Sequence, residues 1–369
     1  MNLNMNAKTL PAWWANSPED YERLHLTNEV QPWEDGLRTT GVKGEYEWWY
    51  FDGKLSDGSS LVIVFYTAPF TAMEAGFHPS LSFTLTRADG SRLVDSYDCT
   101  DDDFSFATDH CRAQVGACLF EGDLHTYHIH YEHGDVLSDV ELVGNIGSWR
   151  PTTGHMVFGG DKYFAWLPSV PEGSVKASVT SNGRTEEYEG TGYHDHNWGN
   201  TGMFWLMHHW YWGRAKIGDY QTITSYITGS KKYGYEHFMI FMLAKNGEVV
   251  ADDGRCATFT QTDERFNEKT GKHYHENIAY DYDDGSSHYR VSYHVEDIAE
   301  EFYLLDDMEL SEAKRNGMQQ VMRLAGLDPT YLRLTGTATL ERFEGDEVVE
   351  KVEAPALWEM MYFGKDADV

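Results

Sequence analysis

Cysteine and proline are scarce in this chain, at 4 and 10 of 369 residues. Cys99, Cys111, Cys118 and Cys256 make neither a Cys-x-x-Cys pair nor a paired zinc knuckle. They are expected to be free or buried thiols in a reducing, cytoplasmic setting. Long apolar runs are also missing. The longest, Leu61 to Phe70, is too short to span a bilayer as a helix, so no stable membrane insertion is expected. Met1 to Asn16 has no charged region followed by a long apolar stretch, and no secretory leader is expected from it. Basic residues are few: 29 Lys and Arg stand against 60 Asp and Glu, a net charge of −31. Phosphate backbones are held by clustered Lys and Arg, which argues against a nucleic-acid partner and equally against an anionic membrane surface. Surface acid mostly serves solubility. There is no Gly-x-Ser-x-Gly elbow, no phosphate-binding Gly loop ending in Lys-Ser/Thr, no dinucleotide fingerprint after a strand and no His-Glu-x-x-His. Nothing points to nucleotide chemistry or a serine nucleophile.

Aromatic residues are abundant, with 12 Trp, 23 Tyr and 18 Phe. They favour strands and line pockets for flat or apolar ligands. Period-two patterning predicts strands at Tyr46 to Gly53, Leu61 to Thr67, Leu81 to Arg87, Leu124 to Tyr131, Gln221 to Thr228 and His237 to Ala244. Asp57-Gly58, Asp89-Gly90, Asn182-Gly183, Asn246-Gly247 and Asp284-Gly285 are turn signals between strands. No βαβ alternation is present, so the fold class is all-β, a sandwich or barrel with few helices. Ser17-Pro18-Glu19-Asp20 opens a short helix with a plausible cap. Ser311 to Ala325 is the strongest helix, with Ser311 as its cap and Gly326 and Pro329 at its end. A turn near 213–220 separates two β domains, 1–215 and 216–369.

Two strings concentrate chemistry. Gly190-Thr-Gly-Tyr-His-Asp-His-Asn-Trp-Gly199 runs into Met203-Phe-Trp-Leu-Met-His-His-Trp-Tyr-Trp-Gly-Arg214. On a strand, Tyr193, Asp195 and Asn197 share one face and His194, His196 and Trp198 the other. Such groups are costly to bury without partners. They form either a satisfied network joining two sheets or a functional site. The second string, Gly44-Glu-Tyr-Glu-Trp-Trp-Tyr-Phe-Asp-Gly53, puts Glu47 among large aromatics. There it is either a poorly solvated carboxyl suited to proton transfer or a solvated group on an edge strand. The pairs His128/His130, His194/His196 and His273/His275 have metal-ligand spacing on a strand. Gly122 to His130 matches only the first half of a cupin metal motif. With 17 His, chance pairs are expected, and no catalytic metal is assigned.

Glu47-Trp-Trp-Tyr50, Tyr193-His-Asp-His-Asn-Trp-Gly199 and Trp210-Tyr-Trp-Gly-Arg214 resemble the carotenoid 1,2-hydratase (hydroxyneurosporene synthase)-like proteins, a group that includes lipocalin-like Diels–Alderases and cyclases. Order and spacing cover about residues 40–215. The resemblance implies two lipocalin-like β domains, a ligand pocket at or near their interface, and no redox cofactor. It maps the proposed proton donor of the hydratases onto Asp195. The residues themselves suit such chemistry. Protonating an alkene needs a carboxylic acid kept protonated in a dry site, and a carbocation is stabilised by aromatic faces. Asp195, Tyr193, Glu47, His194, His196 and Asn197 are the candidate catalytic residues. Trp48, Trp49, Tyr50, Trp198, Trp205, Trp210 and Trp212 are the candidate substrate-binding residues. The expected function is a cofactor-free lyase or isomerase, not a redox enzyme, that hydrates or cyclises an apolar isoprenoid or polyene small molecule. A cyclase working by substrate folding and a lipocalin-like binding or stress protein are the alternatives. No oligomeric state follows from the residues.

Overall fold

The computed structural model describes residues 9–68, 75–100, 103–306 and 312–365. Period-two patterning becomes antiparallel strands. The first are β1 (Ala12–Trp14), β2 (Tyr46–Leu55), β3 (Ser60–Tyr66), β4 (Ser80–Thr86), β5 (Arg92–Asp98) and β6 (Phe104–Phe106). Next come β7 (Cys111–Val115), β8 (Cys118–Gly122), β9 (Thr126–His133), β10 (Val136–Gly144) and β11 (His155–Phe158). Two long strands, β12 (Lys162–Ser181) and β13 (Arg184–Gly199), follow. The later strands are β14 (Met207–Ile217), β15 (Tyr220–Gly229), β16 (His237–Lys245), β17 (Glu248–Ala251) and β18 (Ala257–Asn267). The last are β19 (Lys272–Asp283), β20 (His288–Tyr303), β21 (Leu327–Glu344) and β22 (Glu347–Gly364).

Two compact units result. One comprises Trp14–Val157 and Lys162–Gly202; the other comprises Met203–Val369 with Met1–Trp13 and Phe158–Asp161. The string from Met207 to Arg214 therefore opens the sheet of the second unit.

In the first unit the strands run β5-β4-β3-β2-β13-β12-β10-β9-β8-β7-β6, with β1 and β11 pairing off this path. The sheet curls until β5 meets β9. There Asp95 accepts hydrogen bonds from Tyr131 Oη and His133 Nδ1, each at 2.8 Å. Its inner face holds a core that includes Trp49, Phe51, Phe65, Phe83, Phe120 and Val170. In the second unit the order is β17-β16-β15-β14-β22-β21-β20-β19-β18. Here ring contacts cross the curl: Tyr226 of β15 stacks on Phe259 of β18 at 4.2 Å, and Phe241 of β16 on Tyr282 of β19 at 5.0 Å. The fold is all-β and lipocalin-like in both units.

Local chemistry explains the punctuation. At Asn182-Gly183 and Asn246-Gly247 both residues have positive φ, the conformation a two-residue type I′ hairpin demands. The helix α1 (Pro18–Leu24) begins as expected. Ser17 Oγ accepts from Asp20 N–H and Asp20 returns the bond to Ser17 N–H, a reciprocal cap. A single turn, α2 (Met203–Leu206), joins the two long sheets, and α3 (Glu312–Leu324) matches the late helix. Ser311, its expected cap, lies outside the described residues. All four cysteines are free. Among the described residues no helix is long and apolar enough to cross a membrane.

Gly192 has a packing reason. A Cβ there would press into a Val175 methyl and come within 2.9 Å of the Asp52 carbonyl oxygen. Gly192→Ala is therefore expected to destabilise the first unit by about 1–3 kcal/mol through overpacking. Urea unfolding measures this, and an unchanged midpoint would show that the strands have room to give.

Candidate active site

β13 lies between β2 and β12, and the register decides who meets whom. Asp195 pairs with Tyr50, Asn197 with Trp48 and Tyr193 with Asp52. His196 pairs with Trp49, His194 with Phe51 and Trp198 with Glu47. Because side chains alternate, the two expected strings come together but divide between the two faces of one sheet.

On one face stands Asp195, 8% exposed. Its Oδ2 accepts from Trp166 Nε1–H and Tyr193 Oη–H, both at 2.8 Å, and its Oδ1 accepts from Asn197 Nδ2–H at 2.7 Å. Burial pushes the carboxyl pKa up; the donors from Trp166, Tyr193 and Asn197 and the His194 charge oppose this without reversing it. Tyr50 meets Tyr193 edge-on at 6.4 Å, and Trp149 meets Trp166 edge-on at 6.1 Å. Trp48 is half-buried against Tyr46, Tyr66 and Phe164. Trp166 lies opposite Asn197 in regular register, so it shares the Asp195 face and reaches the carboxyl diagonally; a bulge in β12 follows it. Between the pairs Leu167–His196 and Val170–His194, β12 advances three residues for two on β13. Pro168 falls in that bulge, where a missing N–H breaks no ladder bond.

The opposite face is a buried ion network. His194 donates from Nδ1 to the Tyr50 carbonyl at 2.9 Å, and its Nε2 lies 3.2 Å from Asp35 Oδ2. His196 has Nδ1 3.2 Å from the Glu34 carbonyl and Nε2 2.7 Å from Glu47 Oε1. Both nitrogens of each ring thus face acceptors, an arrangement satisfied in full by a ring carrying two N–H groups. Glu47 is further bonded by Arg38 N–H, Thr39 N–H and Thr39 Oγ1 at 2.7, 2.8 and 2.6 Å. Burial pushes Asp35 up, but the charge and hydrogen bond of His194, the charge of His196 and the Tyr127 hydroxyl bring it below the usual carboxylate value. Trp49 stacks on His196 at 4.9 Å and donates Nε1–H to the Asp35 carbonyl at 2.9 Å. Trp198 packs on the other side of His196 at 4.7 Å. Arg150 completes the layer by pairing with Glu34 at 2.6 Å.

Glu47 is therefore not an acid beside Asp195. Odd and even positions put it, with Trp49, Trp198, His194 and His196, on the far side of the sheet, where four donors occupy it. The rings of His194 and His196 are engaged by carboxylates: His194 Nε2 meets Asp35, while His196 Nε2 meets Glu47 and its Nδ1 lies 3.5 Å from Asp35 Oδ1. Atoms of Asp35, Cys111 and His194 lie within 4.8 Å of one another, close enough for a metal ion. His194 and Tyr127 already hold Asp35 there. Trp205, Trp210 and Trp212 belong to the second unit. Trp205 is exposed on α2, and Trp210 donates to Glu359 at 2.9 Å and packs on Phe363. Trp212 lies on the same face of β14 as Trp210.

Sequence reading missed Trp166, Glu34, Asp35, Tyr127 and Arg150. Adjacent acids after Pro32-Trp33 were a signal, hidden among 60 carboxylates. Trp166 had none beyond its place in an apolar run.

Known proteins bear on this arrangement. Residues 149–302 match the Diels-Alderase-like family model. That stretch contains Trp166, the whole of β13 and the Trp210–Arg214 string, while Glu47-Trp-Trp-Tyr50 lies outside it. Quinolone epoxide rearrangement protein penF of Penicillium thymicola is 30% identical over 81 residues, 22% of this chain and 22% of that protein. Hydroxyneurosporene dehydrogenase of Chlorobaculum tepidum is 24% identical over 228 residues, covering 47% of this chain and 54% of that one. The match thus spans about a fifth to a half of the curated relatives' length. The crystal structure of CghA shares the fold, with a TM-score of 0.57 at 10% identity over 93% of this chain and 97% of that one.

Two outcomes are expected. Glu47→Ala leaves His196 buried without its carboxylate and should cost about 3–5 kcal/mol in denaturant unfolding; a loss below 1 kcal/mol would mean the network is slack. Dialysis against a chelator should leave the melting temperature unchanged. A drop restored by zinc would assign an ion to Asp35, Cys111 and His194 instead.

Proposed function

We propose that this chain is a cofactor-free enzyme that acts on an apolar isoprenoid or polyene substrate, with Asp195 as general acid for double-bond hydration or cyclisation. The observation that carries this reading is a buried carboxyl of raised pKa set among Trp48, Tyr50 and Trp166. Oδ2 already accepts two bonds and Oδ1 one, so Oδ1 is the oxygen with room for the acid proton. As that O–H bond breaks, the alkene π pair forms the new C–H bond and leaves a cation on the neighbouring carbon. Trp48, Tyr50 and Trp166 offer aromatic faces to that cation without attacking it. The carboxylate left behind is caught by the donors of Trp166, Tyr193 and Asn197, which are in place before the proton moves. Water captures the cation in a hydration and returns a proton to the Asp195 carboxylate; in a cyclisation a second alkene captures it, and the new cation loses a C–H proton to that carboxylate to leave an alkene, so the acid is restored either way. The free thiols suit a reducing cytoplasm.

A second reading has support from the relatives. An epoxide rearrangement uses the same acid, with the proton delivered to oxygen rather than carbon. The Diels-Alderase-like match favours a third, in which the pocket only folds its substrate. Turnover in heavy water separates them. Deuterium on product carbon supports alkene protonation. No deuterium, with activity still dependent on Asp195, supports epoxide opening. No deuterium and no dependence on Asp195 leaves shape alone, and the absence of any product leaves a binding protein.

Asp195→Asn is expected to lower turnover by about 10²–10⁴ while substrate still binds. The acid must be protonated, so wild-type kcat/KM should fall as pH rises through the raised pKa of Asp195. Stability has the matching sign. A carboxyl whose folded pKa lies above its unfolded value loses stability as pH climbs from the ordinary carboxylate range through the raised pKa. Asp195→Asn escapes that loss and should melt at or above the wild-type temperature at neutral pH. A normally folded variant with full activity would remove Asp195 as the acid.

A further inference from the structure

β10 leaves β12 after the pair Gly144–Gly173, and the segment 145–154 then runs along β12. Its bonds bracket Trp166. Ser148 Oγ–H donates to the Ser169 carbonyl at 2.6 Å and Trp149 N–H to the Pro168 carbonyl at 3.1 Å. On the other side, Trp166 N–H donates to the Gly154 carbonyl at 3.0 Å. Trp149 also lies edge-on to the Trp166 ring. Whatever fixes this segment therefore fixes the residue whose indole N–H reaches Asp195 Oδ2.

The segment ends in a strained turn. Gly154 N–H closes it on the Pro151 carbonyl at 2.7 Å, and Thr152, its second residue, has φ of 52°. Turns with positive φ at that position favour Gly, Asn and Asp, and a β-branched residue there is an outlier. Asn and Asp hold the left-handed conformation with a local side-chain hydrogen bond. Thr152 Oγ1 is buried with no hydrogen-bond partner, so its side chain gives no such support. Strain of this kind persists only where the surroundings over-determine it.

Arg150, 7% exposed, supplies the constraint. Its Nη1–H donates to the Thr152 carbonyl, its Nε–H to Glu34 Oε2 and its Nη2–H to the Thr27 carbonyl, each at 2.6 Å. Three acceptors in three directions suit the rigid guanidinium fork and not a lysine ammonium. Thr27 and Glu34 precede β2, so the fork ties the turn to a separate part of the chain. Thr153 Oγ1–H holds the next residue by donating to the Ala15 carbonyl, and Arg150 is the group that bears on Thr152.

We propose that Arg150 is a positioning residue for the Asp195 site: its guanidinium clamps the strained 151–154 turn and so keeps the Trp166 indole on Asp195 Oδ2. Its effect on turnover rests on the reading of Asp195 as the acid. Its effect on the indole bond does not, and is measured without a substrate.

The test follows two signals of the full chain by NMR: solvent exchange of the Trp166 indole N–H, assigned with Trp166→Phe, and titration of the Asp195 carboxyl carbon, assigned with Asp195→Asn. Arg150→Lys keeps a charge against Glu34 but takes the donor from the Thr152 carbonyl. The indole N–H should then exchange at least about tenfold faster. The Asp195 midpoint should rise by about one pH unit, because its carboxylate loses a donor. Adding Thr152→Gly should return both signals to wild-type values, since glycine adopts positive φ without a clamp. An Arg150 that serves only as an ion partner of Glu34 predicts neither the changes nor the rescue. Should Arg150→Lys fail to fold, Gly154→Ala takes its place. A Cβ there would stand 2.6 Å from the Trp166 carbonyl oxygen and press the turn off β12 with Arg150 untouched, so the same two changes are expected. Unmoved signals in folded Arg150→Lys, or in Gly154→Ala in its place, or a failure of Thr152→Gly to rescue Arg150→Lys, would overturn the proposal. Both signals moving while kcat/KM keeps its wild-type pH profile would support it and count against Asp195 as the acid.

Discussion

A buried polar strand is the constraint on which the first unit depends. From Tyr193 to Trp198, β13 carries Tyr, His, Asp, His, Asn and Trp, and every one is buried. Buried polar groups must be bonded, so each needs a partner supplied from elsewhere in the chain. The partners arrive from three directions: β2 provides Glu47 and the Tyr50 carbonyl, β12 provides Trp166, and the segment before β2 provides Asp35 and the Glu34 carbonyl. The segment before β2 is thus held as firmly as a strand although it belongs to no sheet. Arg150 ties it again through Glu34.

The two faces of that strand do opposite electrostatic work. On the inner face, carboxylates meet imidazoles at 2.7 and 3.2 Å, and the attraction outweighs desolvation enough to bring Asp35 down. On the other face Asp195 meets three neutral donors, and desolvation wins. Two aspartates with one chemistry are thereby driven in opposite directions by what lies within hydrogen-bond reach. The alternation of a single strand keeps the carboxyl proposed as the acid apart from the ion network.

The second unit treats histidine differently. His208 and His209 sit ring to ring with Nδ1 atoms 2.8 Å apart, and burial, with the charges of His208, His237 and His275, holds the His209 pKa at about 3. His194 and His196 are fastened at both nitrogens, whereas His209 Nε2 has a 3.4 Å contact with Thr228 Oγ1.

The sequence by itself determined the all-β class, the hairpin turns at Asn182-Gly183 and Asn246-Gly247, the α1 cap and the sorting of Tyr193, Asp195 and Asn197 from His194, His196 and Trp198. All of these are local: φ preferences, side-chain hydrogen bonds within a turn, and the two-residue period of a strand. Only the tertiary structure decided which face holds the Asp195 carboxyl with its neutral donors and which the ion network. That depends on pairing across about 145 residues, and Glu47, the second candidate after Asp195, is set opposite Trp198 by the register. Trp166 reached Asp195 through the register of β12 on β13, which no local pattern announces. Asp35 became a partner of His194 because the chain folds back across 159 positions. A carboxyl's pKa is set by its neighbours in space, and those neighbours come from parts of the chain that carry no mark of each other.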